Sequence, residues 1–206
     1  MSGNKKVVKV RRADRRVTRT RNALGDALIE LMHERPFEDV TVQQVLDRAG
    51  VSRSTFYQHY SGKDDLFMSD VEEFFGMMAS LLERKKERSN RVVPVAEMLA
   101  HFGEMGEFLR ALNESGKLHD VMEMGQGLFA RGIERRLANH SSGRAISGNK
   151  RAALAEAFAG GFIALASWWI DRGKGTAPAV MDALYHQMVW RGASGFGVQT
   201  GRAMAR

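Results

Sequence analysis

The side chains best suited to chemistry on a large polyanion crowd into residues 41–60, Thr-Val-Gln-Gln-Val-Leu-Asp-Arg-Ala-Gly-Val-Ser-Arg-Ser-Thr-Phe-Tyr-Gln-His-Tyr. Arg53, Ser54, Thr55, Tyr57, Gln58, His59 and Tyr60 place polar groups on about two helical turns, with only Val51 and Phe56 as apolar anchors. An arginine binds a guanine edge with two hydrogen bonds, a glutamine does the same to adenine, and a threonine methyl touches thymine. Hydroxyl, imidazole and ammonium groups grip phosphates, which position a protein without reading sequence. That chemistry is recognition of duplex DNA. The plainer alternative is an ordinary αα-turn with a solvated polar face.

To read DNA, these residues must be held out on a rigid support, and the preceding segment supplies one. Val42, Val45, Leu46 and Ala49 recur at i, i+3, i+4 and i+7, one face of a helix. Thr41 stands where its hydroxyl caps that helix, Gly50 suits the left-handed turn that ends it, and Ser52 caps the next. So short a connection makes the second helix cross the first steeply, as a helix-turn-helix requires. Upstream, Ala23, Leu24, Ala27, Leu28, Leu31 and Met32 predict a supporting helix that Pro36 terminates. Downstream, Ser61 with Asp64 reads as a capping pair. Leu66, Phe67, Val71, Phe74, Phe75, Met78, Leu81 and Leu82 then predict one long helix to about Lys86.

Over residues 18–67 the chain closely resembles the DNA-binding domain of the TetR (tetracycline-repressor) family of bacterial transcription factors. The likeness rests on Phe37, Val40-Thr41-Val42, Ala49-Gly50-Val51-Ser52, Ser54-Thr55-Phe56-Tyr57-Gln58-His59-Tyr60 and Ser61-Gly62-Lys63-Asp64-Asp65-Leu66. It implies that Thr41 and Gln43 lie near the DNA backbone and that Arg53, Ser54, Thr55, Tyr57 and Gln58 face the groove. It also implies that Tyr57, His59 and Lys63 approach phosphates, with Ser52 and Tyr60 completing the DNA-binding set. Leu46 departs from the small alanine common at its position and Tyr60 from the usual phenylalanine. Both keep an apolar body at a core-facing place.

The net charge of +7 is unevenly distributed. Of 31 basic and 24 acidic residues, nine and one fall within residues 1–21, leaving 22 against 23 elsewhere. A run of like charges repels itself, so residues 1–17 are expected to form a disordered basic tail. Such a tail adds phosphate contacts or reaches a minor groove; merely solubilising the terminus is the alternative. With no cysteine, neither disulfides nor thiolate zinc sites are possible, which suits a cytoplasmic protein. The basic start has no apolar core of a secretion signal, and the nearly apolar run Ala157–Ile170 is too short to span a bilayer, so no membrane partner is expected.

The remainder reads as all-α. Residues 18–62 form the expected DNA-binding domain, 63–195 a helical effector-binding and dimerisation domain, and 196–206 a flexible C-terminal tail. A loop is expected over Asn139–Asn149 and two final helices near 150–172 and 178–192. The first of these is apolar around most of its circumference, more than one small domain can bury. Gly161, Ala164, Leu165 and Trp168, with Leu184 and Met188, are therefore the candidate homodimer interface, resembling the paired C-terminal helices of many TetR-family members; core helices of a monomer are the alternative. Phe75, Met78, Phe102, Met105, Phe108, Met122 and Phe129 are candidates for an apolar effector pocket, or simply core.

His101, Glu104, Glu107 and His119 make no compact metal-ligand set, and no nucleophile-and-base motif, Walker loop or dinucleotide fingerprint is present, so neither cofactor nor catalysis is expected. The resemblance implies a regulator, a repressor released from palindromic operator DNA by a small-molecule effector. The competing expectation is a ligand-independent, DNA-organising protein built on the same helix-turn-helix.

Overall fold

Leu24, Ala27, Leu28, Leu31 and Met32 repeat at helical spacing and are all buried, and they anchor the first helix of the computed structural model. The structure describes residues 3–140, 144, 146–173 and 175–197. Helix α1 runs from Gly3 to Glu34. Residues 3–17, expected as a disordered tail, thus continue the supporting helix. The physical reason is cooperativity: once the buried face of residues 24–32 has nucleated the helix, lysine, arginine and alanine extend it at little further entropic cost.

Pro36 starts a 3-10 turn, Phe37–Asp39, and α2 follows over Val42–Ala49. Thr41 caps α2 reciprocally: its hydroxyl accepts from the Gln44 N–H, while the Gln44 side-chain oxygen accepts from the Thr41 N–H. Gly50 takes φ +62°, the left-handed conformation that costs glycine least. Helix α3, Arg53–Phe56, is capped by Ser52, whose hydroxyl accepts from the Thr55 N–H.

Helix α4 spans Lys63–Ala79. At its start the Ser61 N–H and hydroxyl both donate to Asp65, not Asp64 as the sequence suggested. The expected single helix to Lys86 is also broken: Ser80 donates its hydroxyl to the Met77 carbonyl, and a short α5, Leu81–Arg84, follows. A serine that bonds the preceding turn competes with the backbone ladder.

The chain divides into two compact units, Met1–Val71 with Arg110–Gly116, and Glu72–Leu109 with Lys117–Arg206. The division falls within α4 and not at residue 62. Leu66 and Phe67 are buried in the first unit, with Phe67 against Phe37 at 5.4 Å between ring centroids. Also in the first unit, α1 comes so close to Asp70 that a Cβ at Gly25 would lie 2.3 Å from the carboxylate.

The second unit adds α6 (Val95–Glu104), α7 (Gly106–Glu114, shared with the first), α8 (Leu118–Asn139), α9 (Gly148–Trp168) continued by a π-helical turn Trp169–Gly173, and α10 (Pro178–Gly197). Helix α9 packs along α8, and α10 along α6. Of the loop expected over 139–149, residues 141–143 and 145 lie outside the described residues, as do 198–206, and α9 already begins at Gly148. With its π-helical end, α9 is 26 residues long, so its length, unlike that of the 14-residue run, would reach across a bilayer. Phe158 and Phe162, on one side of it, are nonetheless buried in the unit. No strand occurs among the described residues, so the fold is all-α.

A charged cluster ties the second unit together. Arg91 donates to both oxygens of Asp182 and also bonds Glu97, and the Ala96 N–H donates to Asp182 at 3.1 Å. Burial works against the Asp182 charge, but hydrogen bonds from His186 and Arg91 prevail and bring its pKa from 3.8 to about 2. A carboxylate whose folded pKa lies below its unfolded value stabilises the fold above pH 4 and stops doing so as pH falls through the folded value. Acid melts should therefore show the melting temperature declining between about pH 4 and 2. Asp182→Asn should lower stability at pH 7 and flatten that decline; an unchanged acid profile would show the cluster to be energetically silent.

Candidate nucleic-acid interface

Phe56 is the buried residue of α3 and packs edge-on against Tyr57, at 5.2 Å, and near Tyr60, at 5.7 Å. Everything else on the short helix is available: Arg53, Ser54 and Gln58 are exposed, Tyr57 is 51% exposed, and Thr55 and His59 are half-buried. Positions 53, 54, 57 and 58 lie at i, i+1, i+4 and i+5, one side of the helical turn. Two caps and one aromatic anchor hold a polar face outward.

Helix α2 extends this face. Gln43 is exposed and receives a hydrogen bond at 3.2 Å from an Arg53 Nη2 N–H, while its own amide donates to Asp47 at 2.8 Å. Thr41 and Ser52 are exposed too, with their hydroxyls engaged as helix caps. Behind the face, Arg48 bonds Glu30 and Glu34 and so ties α2 to α1. Its hydrogen bond holds the Glu34 carboxyl below the ordinary carboxylate range.

Two of the side chains expected at DNA are engaged within the fold. Tyr60 is 4% exposed, and its hydroxyl accepts from the Arg21 Nε–H at 3.1 Å while another Arg21 N–H donates to Ser69 at 2.8 Å. Its phenol body is core, as its aromatic type suggested, and its polar tip is a strut for α1. Lys63 aims its ammonium at the carbonyls of Phe37, Glu38 and Val40, at 2.6, 2.9 and 2.8 Å, and over the Phe37 ring at 4.6 Å. An ammonium has three N–H donors, and all three are engaged. Lys63 therefore clamps the turn that leads into Thr41.

Sequence reasoning missed Asp47 and Arg48. The i, i+4 spacing of Gln43 and Asp47 was the available signal for the first; no local pattern pairs Arg48 with Glu30 and Glu34.

Residues 24–69 match the family model described as bacterial regulatory proteins, tetR family. This segment is a DNA-binding domain of the tetR family. Over 65 residues it is 32% identical to an uncharacterised helix-turn-helix transcriptional regulator, YxbF, of Bacillus subtilis, covering 31% of this chain and 17% of that protein. It is also 32% identical over 71 residues to an uncharacterised helix-turn-helix regulator of Haemophilus influenzae, covering 34% of this chain and 35% of the relative. The chain thus spans about a third or less of the length of these curated relatives.

A likeness of fold extends beyond the matched domain. The dihydroxyacetone kinase operon activator DhaS superposes with a TM-score of 0.62 at 14% identity, covering 86% of this chain and 97% of DhaS. A TetR transcriptional regulator from Streptococcus agalactiae superposes with a TM-score of 0.52 at 23% identity, covering 87% and 98%. At these identities the likeness shows a shared fold.

The remaining expected residues lie in the second unit. Phe75, Met78, Phe102, Phe108, Met122 and Phe129 are buried, and Met105 is half-buried. Phe75 meets Phe129 edge-on at 5.8 Å, and Phe129 meets Phe162 at 4.9 Å, so these rings interlock as core. His101 stacks on Phe74 at 4.6 Å, and its burial pushes its pKa down. The expected dimer face is different: Trp168, Val180, Leu184 and Met188 are 46, 57, 53 and 49% exposed, Ala164 is exposed, and Gly161 and Leu165 are half-buried. A Cβ at Gly161 would lie 3.7 Å from the Met188 methyl, so the α9 and α10 portions form one apolar surface.

Proposed function

We propose that this chain is a dimeric, cytoplasmic transcription regulator that binds a palindromic operator through two reading heads and is released by a small, largely apolar effector. The observation that carries the reading is the exposed set Arg53, Ser54, Tyr57 and Gln58, on and just after a helix that Ser52 caps and that buries only Phe56. The basic residues of α1 supply further phosphate contacts. Arg53 and Gln58 read bases, so in duplex selection from a random library Arg53→Ala and Gln58→Ala should each relax preference at defined positions, by roughly 5- to 150-fold per bidentate pair. Base profiles identical to wild type would sink the assignment. Repeated across salt with residues 1–16 removed, the same titrations read the share of α1, as a slope flatter by about 0.9 for each phosphate that α1 neutralises.

The dimer is supported by the continuous exposed apolar surface of α9 and α10, because a two-fold pairing of such helices buries it as a four-helix bundle. For effector control, the Met- and Phe-rich interior of the second unit offers adaptable apolar lining. An effector should weaken operator binding by roughly 5- to 150-fold, and operator should weaken effector binding by the same factor. A compound that raises the melting temperature yet leaves DNA affinity unchanged would sink this control and favour the ligand-independent DNA organiser. Release by an effector makes repression the sign we propose. A reporter assay distinguishes it from activation, the role in the name of DhaS.

A further inference from the structure

We infer that Asp47 is a positioning residue for base recognition, acting through Gln43 to set the direction in which Arg53 presents its guanidinium. The inference rests on the DNA-binding reading above and deepens it. Asp47 is exposed on α2, one helical turn after Gln43, and its Oδ1 accepts from the Gln43 Nε2 at 2.8 Å. An ionised carboxylate only accepts hydrogen bonds, so it must face the amide's NH2 group; the reverse orientation would set two oxygens together. The Gln43 oxygen is thereby turned away from Asp47, and it is this atom that accepts from the Arg53 Nη2 at 3.2 Å. One guanidinium N–H is held, and four stay free for the two acceptors that guanine presents in the major groove.

The charge of Asp47 has a second effect. It lies on the surface proposed to meet a polyanion, where a carboxylate lowers affinity for every DNA sequence alike. The positioning of Arg53 benefits only a site with guanine in register. A uniform penalty combined with a selective gain raises the ratio of specific to non-specific binding, which is specificity by disfavouring the wrong partner.

The full chain should first be used to select sites from a random duplex library, and the guanine position that Arg53→Ala relaxes identified. Asp47→Asn removes the charge and lets Gln43 adopt either amide orientation. It should bind random duplex at least as tightly as wild type while losing roughly 3- to 10-fold of the guanine preference at that one position. Asp47→Glu, which keeps a carboxylate one turn from Gln43, should retain most of the preference. The side chain is exposed, so melting temperatures should not change. Full guanine preference in Asp47→Asn, or an equal loss at every position, would overturn the inference, since a merely structural residue acts uniformly. A wild-type chain that enriches no sequence would instead overturn the DNA-binding reading itself.

Discussion

Replacing Ala164 or Leu184 with arginine is expected to convert a dimer into folded monomers and to weaken operator binding by about 10²–10⁴-fold. That range is what joining two binding modules contributes when both engage at once. Both side chains are exposed within the chain, so a charge at either position meets water in the monomer and costs its fold little. Across a two-fold bundle the same charge would be buried against Trp168, Val180 or Met188 of a second copy with no partner, a change that strongly disfavours association. A monomer keeps one reading head and half the operator contacts. Sedimentation measures the assembly state, circular dichroism the retained helix, and operator titration the drop in affinity. An intact dimer in both variants would move the interface elsewhere.

Replacing Lys63 with methionine is expected to lower stability by about 2–3 kcal/mol, because hydrogen bonds from charged groups contribute roughly 1.5–3 kcal/mol each and part of the loss is made good by water. For a chain of this size that corresponds to a melting temperature lower by roughly 5–10 °C. The aliphatic stem is preserved, so the loss reports on the three carbonyls of Phe37, Glu38 and Val40. The result separates two roles that look alike in a binding assay. A lysine that grips phosphate would leave the melt of the free protein unchanged and flatten the salt dependence of DNA binding. A clamp lowers the melt and leaves the salt slope as it was.

The helix-turn-helix was legible because its determinants are local. The apolar spacing of Val45 and Leu46, a hydroxyl at 41 and at 52, and a glycine at 50 each act within one or two turns, and the structure places every one in its expected role. The start of α4 was half legible: Ser61 does accompany a carboxylate, but the choice between Asp64 and Asp65 depends on where the helix begins. The break at Ser80 was not legible, since Leu81 and Leu82 keep the apolar rhythm across it.

By itself, the sequence determined an all-helical chain with a DNA-reading head at one end and an apolar surplus in its last two helices, because periodicity, capping and amphipathic balance are properties of neighbouring residues. Only the tertiary structure decided which polar groups of that head are free. Tyr60 and Lys63 carry side chains as suited to phosphate as any nearby, yet one meets Arg21, distant by 39 positions, and the other meets carbonyls 23 to 26 positions away. A donor's chemistry is written in its residue type. Whether that donor is already engaged depends on what the folded chain brings beside it, and no local pattern contains that information.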